Sequence, residues 1–197
     1  MSLFPLFVDL AGKRVVVVGG GNVGRRKADA ARAAGAVVCV VDPIAPADVA
    51  ANYSPNHLAG AYLVFACAAP EVNARVVADA TARGIWANSA TDSADVILPA
   101  VLTRGDLTIT ISTGGASPAL ARRIREKLEA EFDDAFAAWV ALLAELRPVV
   151  LSTVPEPGRR RALLDDLADW RWLDRVRADG VAATREAMRI HITGAAV

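Results

Sequence analysis

The sequence predicts an α/β chain: a parallel sheet covered by helices, then a β-hairpin, then helices to the end. Three observations predict it. Up to about residue 90, β-branched runs alternate with alanine-rich stretches, and such alternation means a parallel sheet with helices on both faces. Two strand-like runs then flank Arg104-Gly105-Asp106, a hairpin signal. After Ser117-Pro118 the pattern is helical throughout.

The elements follow in order. Val15-Val16-Val17-Val18 reads as a buried strand and runs straight into Gly19-Gly20-Gly21-Asn22-Val23-Gly24. Strand, Gly-x-Gly-x-x-Gly and helix in that order predict a Rossmann-like dinucleotide site. Gly19 allows the tight turn, Gly21 removes the Cβ that would block a pyrophosphate, and Gly24 lets the helix approach the strand. The amides at the helix start, at Asn22, Val23 and Gly24, face the phosphates with the positive end of the helix dipole. The second strand, at 36–41, ends in Asp42-Pro43. A carboxylate there accepts from ribose hydroxyls and repels a 2′-phosphate, so NAD is expected over NADP.

A third strand is expected at 62–67, a helix from Pro70 to about Arg83 with Gly84 as its C-cap, and a fourth strand at 85–88. The hairpin strands are expected at 95–103 and 107–112. Thr108-Ile109-Thr110-Ile111 alternates as a strand with one buried face does. Ser117 caps a helix with Pro118 at N1, along which Leu120, Ile124 and Leu128 form an apolar stripe. Pro148, Pro155 and Pro157-Gly158 are expected to break the remainder into short helices. The domains are a dinucleotide-binding domain at 1–98, a hairpin segment at 99–118 and a helical domain at 119–197.

Composition excludes several classes. The 197 residues are 54% hydrophobic with zero formal net charge. That is ample for a core and gives no electrostatic case for nucleic acid or a charged membrane surface. Cys39 and Cys67 lie in apolar strand-like runs and read as buried thiols of a reducing compartment. The start lacks a basic n-region and carries Pro5 and Asp9, and no apolar run is expected to span a membrane. A cytoplasmic protein is expected. The two histidines, His57 and His191, lie far apart in sequence, and no metal site is expected.

Four blocks resemble one family. They are Phe4-Pro5-Leu6-Phe7 leading into the glycine loop and Arg26-Lys27-Ala28; Pro70-Glu71-Val72-Asn73; Leu98-Pro99-Ala100; and the segment from Ser112-Thr113-Gly114-Gly115-Ala116-Ser117-Pro118 through Arg122 to Leu128-Glu129. The chain is similar to precorrin-2 dehydrogenase/sirohydrochlorin ferrochelatase, the N-terminal module of siroheme synthase. The resemblance covers nearly the whole chain and lacks the methyltransferase half.

It implies oxidation of precorrin-2 to sirohydrochlorin with NAD, ferrous iron as a second substrate in some members, and a homodimer built through the hairpin and helical tail. The tetrapyrrole carries many carboxylates, which suits Arg26, Lys27 and Arg122, since arginine forks hold carboxylates well. Asn88 and the loop of Thr113, Gly114, Gly115 and Ser117 complete the expected substrate contacts. That loop, a Gly-Gly pair flanked by hydroxyls and opening a helix, is anion-receptive.

Three departures mark this sequence. The family's Asp, in an Asn-x-x-Asp context after the fourth strand, is replaced at that spacing from Asn88 by Thr91, and Asp92 follows. Asp92, with Thr91 beside it, is the candidate base, and ferrochelation is expected to be weak or absent. Ala68-Ala69 replaces a Thr-Asp pair. The stretch between Asp42 and Tyr62 has room for a helical turn or two. A non-catalytic protein that binds NAD or a tetrapyrrole is the alternative reading.

Overall fold

The structure is a computed structural model that describes residues 4–91 and 94–196. The chain divides into two compact units, Ser2–Leu98 and Pro99–Val197.

In the first unit, β1 (Arg14–Val18), β2 (Val37–Val41), β3 (Leu63–Ala66) and β4 (Trp86–Ser89) form one sheet in the order β2-β1-β3-β4. All three pairings are parallel. With period-two alternation, β1 sends Val15 and Val17 to one face and Val16 and Val18 to the other; all four are buried. Helix α1 (Asn22–Ala33) covers the first face with Ala28 and Ala31, and α2 (Pro70–Thr81) covers the second with Val76 and Ala80. Burial on both faces explains why the strands read as unbroken apolar runs. The chain leaves β1 in opposite directions to reach β2 and β3, so a crevice opens at the strands' carboxyl ends between them. Between β2 and β3 the only helix is a 3-10 turn, Pro55–Leu58. A single parallel bridge, Val41 to Val49, extends the sheet edge.

In the second unit, β5 (Ala100–Arg104) and β6 (Leu107–Ile111) form the antiparallel hairpin. Gly105, at φ +56°, supplies the left-handed residue of its two-residue turn. The helices α3 (Pro118–Glu131), α4 (Asp134–Thr153), α5 (Pro157–Leu167) and α6 (Trp170–Ala196) follow. The side chain of Ser117 caps α3 and that of Asp133 caps α4. Arg177 of α6 donates to Asp133 at 3.0 Å, and this guanidinium, with the amide of Phe136, holds the Asp133 carboxyl below its ordinary range. The unit's core joins Trp139, Leu142, Leu146 and Val150 of α4 to Leu163 and Leu167 of α5 and Leu173, Met188 and Ile192 of α6.

Three sequence expectations need correction. Pro148 does not end a helix: α4 runs 20 residues through it, because Leu146 and Val150 are anchored in the core and outweigh one lost backbone bond. α4 is also long and apolar enough to cross a membrane by length and composition, contrary to expectation; its buried stripe faces α5 and α6. The expected apolar stripe of Leu120, Ile124 and Leu128 is present on α3 but does not supply its buried residue. Leu120 and Ile124 are exposed, and Ala121 is the buried residue. The hairpin begins at Ala100 rather than at Asp95. The 27 residues of α6 break at Gly180, where φ is +81°.

Leu146 has no exposed surface. Leu146→Ala is expected to destabilise the chain by about 2–5 kcal/mol, through lost burial and the cavity left behind. Chemical denaturation would show a lower midpoint.

Candidate functional site

At the end of β1 the backbone passes so close to its neighbours that side chains are excluded. A Cβ on Gly24 would stand 1.8 Å from the carbonyl oxygen of Gly19. One on Gly19, itself at φ +107°, would stand 2.4 Å from the carbonyl oxygen of Cys67. Gly21 differs: its Cβ would meet nothing within 4 Å. That open space is where a ligand backbone can approach. Gly21 is the N-cap of α1 with no side-chain cap bond, and the first turn carries no acidic residue. Asn22 and Val23 are exposed there. The positive helix end is thus left for an anionic group, and this arrangement fits a dinucleotide pyrophosphate.

Asp42 sits at the tip of β2, half-buried, with Pro43 exposed after it. Its Oδ2 accepts from the amide of Gly20 at 2.7 Å. Its Oδ1 accepts from the amides of Ile44 at 2.8 Å and Ala45 at 2.6 Å. These amides, Gly20 first, hold the carboxyl below the ordinary aspartate range. From the sequence this carboxylate is expected to serve a ribose alone. The structure shows that it also ties the glycine loop to β2. A carboxylate has about four acceptor positions, so the geometry leaves capacity for a hydroxyl donor.

Beyond β3 and β4 the site residues are linked in a chain. Lys27, on α1, donates to Asn88 Oδ1 at 2.6 Å and lies over the Phe65 ring. Asn88 in turn donates to the carbonyl of Val96 at 2.7 Å. Burial pushes the Cys67 thiol up, and the Lys27 ammonium opposes that shift. Thr91 Oγ1 accepts from Asn73 Nδ2 at 3.0 Å, and the Thr91 amide donates to Ser89 Oγ. Asp92 lies outside the described residues. Arg26 is exposed on α1.

Asn73 is the residue that sequence reasoning missed. It stands in the Pro70-Glu71-Val72-Asn73 block and has no exposed surface. Its signal was present: asparagine is a poor residue inside a helix and favours bonds to nearby backbone.

In the second unit, the expected anion loop is largely self-satisfied. Ser112 Oγ accepts from the Gly114 amide, Thr113 Oγ1 from the Ser117 amide at 3.0 Å, and Ser117 Oγ from the Leu120 amide. Gly114 and Gly115 take φ of +61° and +88° to make this turn. Arg122 is exposed and pairs with Glu126 at 3.7 Å. His191 meets Asp166 at 2.6 Å.

The glycines separate folding from binding. Gly24→Ala is expected to cost about 2 kcal/mol or more by overpacking. Gly21→Ala is expected to cost about 1 kcal/mol or less but to weaken NAD(P)H binding at least tenfold, since it fills the open space before the helix start. Thermal melts and NAD(P)H fluorescence titrations read the two effects separately.

Two family models match stretches of this chain. The family model described as putative NAD(P)-binding matches residues 6–100, and that of the sirohaem biosynthesis protein central region matches residues 104–131. A siroheme synthase of Pseudomonas putida strain F1 is 35% identical over the whole chain, which covers 46% of that protein. Siroheme synthase 1 of Aeromonas salmonicida strain A449 is 37% identical over 85% of the chain and 39% of the relative. The chain thus spans a little under half the length of these relatives. A solved structure titled SirC, precorrin-2 dehydrogenase, shares the fold with a TM-score of 0.77 at 24% identity, over 98% of this chain and all of that one. Siroheme synthases thus align along the full length of the chain, and the NAD(P)-binding and sirohaem central models follow one another along it.

Proposed function

We propose that this chain oxidises precorrin-2 to sirohydrochlorin and passes the hydride to NAD. The observation that carries the reading is the glycine loop, open at Gly21 and closed at Gly19 and Gly24, in a chain along whose full length siroheme synthases align. Bound there, NAD supplies the hydride acceptor. The chain's own residues do the rest. The amides at Asn22, Val23 and Gly24 hold the pyrophosphate. Asp42, kept ionised by three backbone amides, receives the adenosine ribose and sets its charge against a 2′-phosphate, which favours NAD over NADP.

Lys27, held by Asn88 at 2.6 Å, offers a half-buried cation to a substrate carboxylate. Arg26, Arg122 and the Thr113-to-Ser117 loop are proposed as further carboxylate contacts. Oxidation also releases a proton, and Asp92 is the proposed acceptor, with Thr91 beside it. We propose a homodimer, supported by exposed apolar side chains on the hairpin and α3, Val101, Leu120 and Ile124. Ferrous iron, as a substrate, is proposed to be inserted weakly or not at all. One observation favours a second reading, a protein that binds without turnover: the position equivalent to the family's Asp carries Thr91, a neutral hydroxyl bonded to Asn73.

Purified chain, precorrin-2 and NAD under anaerobic conditions should yield NADH and sirohydrochlorin in equal amounts, with NADP a poor substitute. Asp92→Ala is expected to slow this by about 10²-fold or more. Tight sirohydrochlorin binding without any NADH formation would establish the binding-only reading instead.

A further inference from the structure

We propose that Asn73 is a positioning residue of this site, one that sets the loop after β3 against the glycine loop and holds the loop after β4 through Thr91. The inference rests on the dehydrogenase reading above. Asn73 lies in the first turn of α2 with no exposed surface. A buried carboxamide is costly unless its polar atoms are used, and here they are used outside its own helix. Its Oδ1 accepts from the Ala68 amide at 2.8 Å, and its Nδ2 donates to the Ala68 carbonyl at 3.0 Å. The carboxamide thereby pairs with both backbone groups of Ala68, as an adjacent strand would. Nδ2 also donates to Thr91 Oγ1 at 3.0 Å.

These bonds converge on the carboxyl edge of the sheet. Ala68 abuts the glycine loop: a Cβ on Gly19 would stand 2.7 Å from the Ala68 nitrogen. A displaced Ala68 therefore moves the wall against which Gly19 turns. Thr91 follows β4 and immediately precedes the proposed base. One side chain thus links Ala68, beside the glycine turn, to Thr91, just past β4. An apolar residue would fill the space equally well and make none of these bonds. Only a carboxamide offers an acceptor and two donors in one plane.

Asn73→Asp keeps the shape and the acceptor and, when ionised, removes both donors. Thr91→Val removes the hydroxyl that Asn73 reaches and leaves both Ala68 bonds in place. NADH dissociation constants, kcat and KM for precorrin-2 and thermal melts are measured for both variants. Asn73→Asp is expected to weaken NADH binding about fivefold or more and to lower kcat about tenfold or more, with KM changed less than about threefold. Thr91→Val is expected to lower kcat about three- to tenfold and to leave NADH affinity unchanged. A merely structural asparagine would lower the melting temperature alone. A folded Asn73→Asp with unaltered NADH affinity and kcat overturns the proposal. If Asn73→Asp does not fold, Thr91→Val decides: a lowered kcat supports the proposal and an unchanged one overturns it. Should the unaltered chain bind NADH without oxidising precorrin-2, the dehydrogenase reading fails instead, and the NADH affinity of Asn73→Asp still tests the hold on the cofactor loop.

Discussion

The structure of the first unit depends on one close approach, where the backbone at the end of β1 passes under its own helix and against the loop after β3. Gly24 lies beneath the Gly19 carbonyl, and Gly19 turns against Cys67 and Ala68. Neither position has room for a side chain. This closeness lets the short side chains Ala28 and Ala31 seat α1 on the sheet, and it aims the uncapped start of α1 into the crevice between β1 and β3.

Polar groups then fasten this arrangement from both sides. Asp42 bonds Gly20 from the β2 side, and Asn73 bonds Ala68 from the β3 side. Both side chains complete backbone groups that no strand ladder reaches, which answers the requirement that such groups be paired. Asp42 carries a second consequence because it is charged. Its amide partners keep it ionised, so a fixed negative charge stands at the tip of β2 while the positive end of α1 stands at the tip of β1. The charges are thus ordered for a ligand with a phosphate at one place and hydroxyls at the other. Lys27 adds a cation farther along the same edge, beside β3 and β4.

Much of this was legible in the sequence. Four valines, the glycine spacing and Asp42 are local signals, and local signals survive folding when backbone geometry leaves few alternatives. The strand ends moved by a residue or two at Leu63–Ala66 and Trp86–Ser89. What was not legible depended on tertiary context. Pro148 reads as a helix breaker, but its neighbours Leu146 and Val150 are fixed in the core of the second unit. The apolar stripe on α3 is legible, but periodicity shows which residues share a face and cannot say whether that face is covered within the chain. Asn73 bonds Thr91 across 18 positions, a separation that no spacing rule reveals. Likewise, the Gly20 amide reaches Asp42 across 22 positions.

The central claim, that this close approach builds an NAD site, is tested most directly by a crystal structure of the chain grown with NADH. The account predicts the pyrophosphate against the amides at Asn22, Val23 and Gly24, above Gly21, with the adenosine ribose hydroxyls at Asp42 and the carboxylate still bonded to Gly20. A dinucleotide bound away from the glycine loop, or an adenosine end that does not reach Asp42, would contradict it.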